Sequence, residues 1–154
     1  MSAEEKEISL EQSVSFALEE ARTIIPGIQA LFGFQLIAVF NERFADDLSR
    51  LEQLLHLAAL LLTAGACALL MAPAAFHRRA QPRKVSAHLL GIITSFVRAS
   101  LSLLMAGISL DVYVIARLVT DRTGLSAAIA LALFALFALM WFVFPRPRPG
   151  PGPG

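Results

Sequence analysis

Four long apolar segments, separated by short polar stretches, constrain this chain more than any other feature of its sequence. A helix needs about 20 mostly apolar residues to cross the roughly 30 Å of hydrocarbon in a bilayer. The segments show no alternation with a period of two and are rich in Ala and Leu, which favours helices over strands. We therefore predict an all-α integral membrane four-helix bundle, with spans at about 23–41, 51–72, 88–119 and 124–144.

The composition excludes a typical soluble monomer. Of the 154 residues, 56% are hydrophobic and 16% are charged, whereas a soluble domain has about 25% charged residues. A soluble chain of this size would need more polar side chains to cover its surface. The single cysteine, Cys67, excludes an intramolecular disulfide framework.

Two further regions flank the membrane domain at 23–144. The first, 1–22, is acidic, and the helical spacing of its apolar residues predicts a short amphipathic helix at 9–22 on the membrane surface. The second, 145–154, consists almost entirely of Pro, Arg and Gly and is predicted to be a disordered tail.

Short motifs indicate where helices begin. Ser9 and Gln12 have the spacing of a capping box, as do Ser49 and Glu52 just before the second span. Pro26 is expected in the first turn of the first span, where a backbone donor is not needed.

Lys and Arg residues predict the orientation. The net charge of +1 is uninformative, but the loop HRRAQPRK at 77–84 is short and strongly basic. Basic loops stay on the cytoplasmic side. We therefore expect both termini to be cytoplasmic.

Asp111 and Arg98 are charged residues far from the ends of the third predicted span, and such residues suggest a functional site. Arg98 can extend toward the cytoplasmic surface, whereas the shorter Asp111 needs a partner or a water-filled cavity. By depth, Arg43 is the nearest candidate partner, with Arg50 and Arg117 as alternatives. Three interpretations stay open: a structural ion pair, a proton or cation site at Asp111, and simple exposure to outer solvent.

Small and polar residues in the first and third spans suggest contacts between helices. Gln29 and Gln35 are expected to form interhelical hydrogen bonds or to contact a substrate. Small residues allow close helix approach, and the candidate packing seam, or alternatively a polar lining for a permeation path, consists of Gly33, Ser95, Ser102 and Ser109.

No catalytic or cofactor motif accompanies these residues. The sequence has no phosphate-binding loop, no nucleophile beside a base and no nucleic-acid motif. His56, His77 and His88 lack the spacing of metal ligands. The sequence therefore favours a protein that is not an enzyme, with no metal, no cofactor and no nucleic-acid partner.

Two stretches, PGIQALFGFQLIAVFNERF and LLMAPAAFHRR, resemble an uncharacterised bacterial family of small four-span membrane proteins, common in actinobacteria, over roughly residues 18–145. The pattern that carries the resemblance comprises Gly27, Gln29, Arg43, Phe44, Pro73, Ala74, His77 and Arg78. The resemblance implies the four-span topology, a domain of unknown function and the bacterial plasma membrane.

Together these features predict a non-catalytic multi-pass membrane protein, acting as a structural or accessory component of a membrane complex. The alternative is a small oligomeric ion channel or a proton- or cation-coupled transporter. Expected partners are the lipid bilayer, a second copy or another membrane protein, and a monovalent cation or proton.

Overall fold

The computed structural model describes residues 3–41, 43–79 and 87–144. Almost all of these residues are helical, and no strand occurs among them. The elements are α1 (Ala3–Val39), α2 (Arg43–Asp47), α3 (Arg50–Arg79), α4 (Ala87–Thr120) and α5 (Thr123–Ala138), the last continuing into a π-helical turn at Leu139–Val143.

Four helices of this described part are long and apolar enough to cross a membrane, which confirms the predicted all-α fold with four spans. Their apolar stretches are Gln12–Val39, Arg50–Pro73, Leu90–Thr120 and Thr123–Val143.

The beginning of α1 differs from the expectation. The residues at 9–22 are helical, but they continue without interruption into the first span, and the helix already begins at Ala3. Ser9 therefore lies within the helix and does not cap it. Pro26 lies far inside the helix instead of in its first turn; it removes one backbone hydrogen bond, a loss that membrane helices tolerate. The predicted tail at 145–154 lies outside the described residues.

A closely packed pair of helices, α3 and α4, forms the centre of the fold. A Cβ atom on Gly107 would lie 3.1 Å from both the Ala59 carbonyl oxygen and Thr63 Oγ1. The Thr63 hydroxyl donates to that same carbonyl at 3.0 Å. The backbones of α3 and α4 therefore approach most closely at a glycine.

The buried stripe of α4 follows a heptad, but not the one that the serines suggested. Ile93, Ser100 and Val114 are almost fully buried, and Gly107 is buried between them in the same seven-residue series. Because this series is offset by two positions from Ser95 and its repeats, the predicted seam lies on a different face of the helix.

The other two long helices pack on this pair. α1 contacts both α3 and α4, whereas α5 packs mainly on α4. A core of Ile28, Ala66, Leu70 and Leu104 joins α1, α3 and α4, and Trp141 packs against it. Most of the surface of α5 is exposed and apolar, as for Leu131 and Leu136, which suits contact with lipid.

The chain direction alternates, so the end of α1, the start of α3, the end of α4 and the start of α5 meet at one end of the bundle. The short helix α2 lies at this end, and Leu48 after it is buried. At Asp121 the backbone adopts a left-handed conformation, with φ 51°. This conformation allows a connection of only two residues between α4 and α5.

Candidate functional site

A buried group of three polar side chains lies close to this end of the bundle. Asp111 of α4 contacts His56 of α3 through Oδ1 and Nδ1, which are 2.9 Å apart. The other ring nitrogen of His56, Nε2, lies 3.0 Å from the backbone carbonyl oxygen of Gln35 in α1. The Gln35 side chain donates from Nε2 to Asp111 Oδ2. We refer to Gln35, His56 and Asp111 as the polar cluster.

Helix register explains why these residues meet. Gln35 lies four residues before the end of α1, His56 six after the start of α3, and Asp111 nine before the end of α4. At 1.5 Å per residue, the three lie within about 6–14 Å of the same end of their helices. All three are buried, with 4% to 9% of each residue exposed.

The hydrogen bonds fix the number of protons in the cluster. His56 Nε2 faces a carbonyl oxygen, which only accepts, so this nitrogen carries a proton. A second proton then lies between His56 Nδ1 and Asp111 Oδ1. Whether it resides on the imidazole or on the carboxyl group, the pair as a whole is neutral. The cluster therefore holds one proton that a buried acid and base share.

One acceptor of the cluster has no partner among the described residues. Gln35 Oε1 is fully buried and accepts no hydrogen bond from them. A buried acceptor without a partner carries an energetic cost of about 1–3 kcal/mol.

A cavity of about 620 Å³ adjoins the cluster. Gln35, His56 and Asp111 contribute to its lining, and apolar residues of α1 and α4 form most of the rest, including Leu31 and Ile115. Small-molecule sites commonly occupy about 300–1,000 Å³ and combine apolar walls with a few polar groups. The cavity has both properties.

The connection between α1 and α3 covers one end of this site. Phe44 of α2 meets the His56 ring edge-on, with ring centroids 5.2 Å apart and planes inclined by 64°. Asp47 and Leu48 also line the cavity. This places α2 between the polar cluster and the end of the bundle.

A second polar group stabilises the same end. Glu52 accepts hydrogen bonds from the backbone N–H and the hydroxyl of Ser49, at 2.8 and 2.7 Å. It also pairs with Arg117 of α4, whose Nε lies 3.2 Å from Glu52 Oε1. Arg117 additionally contacts Asp121 at 3.5 Å. These contacts tie α3 to α4 one turn beyond His56.

Among the described residues, the structure gives Asp111 a histidine and a glutamine as partners, whereas the sequence predicts an arginine. Arg117 pairs with acidic residues at the end of the bundle, and Arg50 is exposed. The side chain of Arg43 lies outside the described residues.

The other candidate residues do not join the cluster. Gln29 and Arg98 are exposed, as is Ser95. A Cβ atom on Gly33 would meet nothing within 4 Å, so no helix in the described part of the chain packs closely on it. Ser102 donates to the carbonyl of Arg98 in its own helix.

Ser109 differs from the other serines of its series. It is buried, and its hydroxyl has no hydrogen-bond partner. It lines a second, apolar cavity of about 460 Å³ between α4 and α5, together with Tyr113 and Ala130.

His56 is the site residue that sequence reasoning missed, since it was considered only as a metal ligand. A usable signal was present: a histidine near the start of one span and an aspartate near the end of the next lie at similar depth. Among the described residues, no three or more His, Cys, Asp or Glu side chains are arranged to hold a metal ion.

Comparisons with known proteins place the chain in a family without supplying a function. No curated protein and no solved structure matches it. A family described as "Family of unknown function (DUF6328)" matches residues 3–145, nearly the whole chain. The resemblance noted from the sequence motifs is thereby confirmed: this chain belongs to the DUF6328 family.

Proposed function

We propose that this is a non-catalytic, multi-pass membrane protein that binds and releases a proton or monovalent cation at its polar cluster, as part of a small oligomeric channel or a coupled transporter. One observation carries the proposal: His56 Nδ1 and Asp111 Oδ1 lie 2.9 Å apart inside an apolar bundle, a contact that needs a proton between the two atoms. Ionisable residues within membrane spans are costly and commonly mark ion or proton pathways.

The surroundings of the polar cluster would allow a proton or cation to move between the cluster and the end of the bundle. The cluster lines a cavity instead of being sealed in a packed core. α2, the residues beside it and the Glu52–Arg117 pair lie between the cluster and the end of the bundle. A proton leaving Asp111 therefore has a short route, past Asp47 at the same cavity.

Purified protein in liposomes tests this proposal. We expect a pH gradient or a monovalent-cation gradient to drive proton or cation flux in the wild type. Asp111→Asn removes the acid but keeps the shape of the side chain, and should abolish the flux. Asp121→Asn is the matched control, because Asp121 lies at the same end of the bundle with a fully exposed carboxylate; its flux should equal that of the wild type.

Two results would overturn the proposal. One is the absence of flux under every ion gradient with correctly folded protein. The other is unchanged flux in Asp111→Asn. Helix content and thermal unfolding in detergent establish whether each variant is folded.

A structural or accessory role in a membrane complex is the second candidate, supported by the outer surface of α4. Arg98 and Ser95 are exposed there within an apolar span, where a second copy or another membrane protein would provide polar contacts. The mass of the complex extracted in mild detergent, with identification of co-purifying proteins, tests this role. A monodisperse monomer with no companion protein would contradict it.

We also propose a location for the protein. A bacterial plasma membrane with both termini in the cytoplasm agrees with the basic loop at 77–84. In that orientation the polar cluster lies near the outer surface.

A further inference from the structure

The cavity beside the polar cluster has two chemically different parts. At one end are the side chains of Gln35, His56 and Asp111, and the walls are formed by apolar residues of α1 and α4. A ligand that fills it must therefore have a polar head and an apolar body.

The charges of the residues that line the cavity indicate which polar head group a ligand would carry. The acidic groups that line the cavity are Asp47 and Asp111, and no Lys or Arg is among the lining residues in the described part of the chain. An anion would meet a carboxylate here, whereas a cation with N–H groups would donate to Asp111.

The opening of the cavity indicates the route. Phe34 of α1 and Ile115 and Leu118 of α4 line it, yet they remain 70%, 60% and 53% exposed. Since these side chains lie within spans, their exposed surfaces face the hydrocarbon layer. A ligand with an apolar body can therefore enter sideways from the bilayer, between α1 and α4.

We infer that this cavity binds an amphiphilic organic ammonium ion, with its N–H groups at Asp111 and its apolar body between α1 and α4. The inference rests on the proposed function and names a ligand for the same site. It adds a class of molecule, an alkylammonium ion, to the proton or monovalent cation proposed above.

Binding of such a cation requires the cluster to release its shared proton. The proton between His56 Nδ1 and Asp111 Oδ1 leaves for the solvent, so the hydrogen bond between these two atoms is broken and His56 is a neutral imidazole. An N–H group of the ammonium ion donates to Asp111 in its place. The charge of the site rises by one with the ammonium ion and falls by one with the proton, so its total is unchanged.

The other charged groups near His56 are not expected to supply or take up the proton that is exchanged when the ammonium ion binds. From α2, Asp47 lines the cavity and is exposed. From α3 and α4, Glu52 and Arg117 pair with one another. α1 contributes only the uncharged Gln35 to the cluster. The affinity for the ammonium ion should therefore fall as the pH is lowered and protons compete at His56 and Asp111.

The test compares four probes of equal chain length on the wild-type protein in lipid nanodiscs, with empty nanodiscs as the blank. The probes are n-octylamine, octyltrimethylammonium, n-octanol and octanoate. An alkylamine is almost fully protonated at neutral pH, as the lysine side chain is. We expect n-octylamine to bind at least about tenfold more tightly than n-octanol or octanoate, because a buried charge pair is lost with either.

The quaternary probe separates charge from hydrogen bonding. Octyltrimethylammonium carries the charge but no N–H group, so it cannot donate to Asp111. It should bind more weakly than n-octylamine and more tightly than octanoate. In weakly buffered solution, n-octylamine binding should release one proton per site.

Variants locate the site. Asp111→Asn should lower n-octylamine affinity by about tenfold or more, and it should remove the preference for n-octylamine over the quaternary probe. Asp121→Asn, outside the cavity, should bind like the wild type. Because the four probes are compared on the wild-type protein, this part of the test does not depend on whether a variant folds.

Several outcomes would overturn the inference. Equal binding of n-octanol and n-octylamine would mean an apolar slot without charge selection, and preferred octanoate would reverse the assigned charge. Binding that releases no proton, or that Asp111→Asn leaves unchanged, would also contradict it. If liposome flux depends on Asp111 but n-octylamine does not bind, this inference fails while the proposed function stands.

Discussion

At the scale of single residues, His56 determines what the polar cluster can do. An arginine in its place would form a fixed ion pair with Asp111, because the guanidinium group does not lose its proton. Histidine exchanges a proton under ordinary conditions. The contact at 2.9 Å therefore combines a structural hydrogen bond with a group that can change charge.

The hydrogen bond between His56 and Asp111 should appear as coupled stability. We expect His56→Leu and Asp111→Leu each to lower the free energy of unfolding by about 3–5 kcal/mol, since each leaves a buried partner unpaired. The double variant should lose less than the sum of both losses, with a coupling energy of about 0.5–3 kcal/mol. Reversible unfolding in mixed detergent measures these values. Strict additivity would mean that the two side chains do not interact.

Gly107 permits the close approach of α3 and α4. A side chain there would collide with the Ala59 carbonyl and the Thr63 hydroxyl, both 3.1 Å from its Cβ. We expect Gly107→Leu to destabilise the protein by about 1–3 kcal/mol through overpacking. Thermal unfolding in detergent measures the change.

Gly91 provides the matched control in the same helix, because a Cβ atom there meets nothing within 4 Å. Gly91→Leu should leave the stability unchanged or slightly raise it, since glycine is a poor helix former. Equal effects at both positions would contradict close packing at Gly107.

At the scale of secondary-structure elements, the start of α3 connects local sequence to the site. The capping box expected from Ser49 and Glu52 is confirmed, with the serine backbone N–H donating to the glutamate at 2.8 Å. Glu52 also holds Arg117 of α4. One short motif thus ends the connection from α2, starts α3 and fixes α3 against α4 next to His56.

Loss of this cap should weaken the whole protein. Ser49→Ala is expected to lower the free energy of unfolding by about 1 kcal/mol, because it removes the hydroxyl that bonds to Glu52 and caps α3. Ser102→Ala is the comparison, since that hydroxyl bonds only to the carbonyl of Arg98 in its own helix, and it should have little effect. Equal losses in chemical unfolding experiments would refute the role of the cap.

At the scale of the whole molecule, the order of the helices determines where the site lies. α3 and α4 form the central pair, and α1 completes the polar cluster. α5 packs on α4 and contributes no residue to the cluster. The cluster and the connection through α2 are at the same end of the bundle. The orientation in the membrane therefore decides which compartment the site faces.

Cysteine labelling of intact cells tests that orientation. After replacement of the native Cys67 by alanine, cysteines at Asp46 and at Arg83 should react with an impermeant reagent from opposite sides. A cysteine at Asp121 should behave like the one at Asp46, because both positions lie at the same end of the bundle and are exposed. Labelling of Asp46 and Arg83 from the same side would contradict the four-span topology.

The spans were predictable because a run of about 20 apolar residues allows few structures. The need of Asp111 for a buried partner was also predictable, from its depth and short side chain. The identity of that partner was not, because it depends on which faces of α1, α3 and α4 meet. The serine series of α4 was misleading for the same reason: spacing gives the period of a stripe, but not which neighbour covers it.

The separation of the cluster residues along the chain has a consequence for biosynthesis. Gln35 and His56 emerge from the ribosome well before Asp111, which is 55 residues beyond His56. Until α4 is inserted, two polar side chains in the membrane lack their common partner, and an aspartate alone raises the cost of inserting α4. Docking of α4 onto α3 removes both penalties at once. A truncated or misassembled chain would expose these groups, and membrane proteases that survey new proteins could recognise it by them.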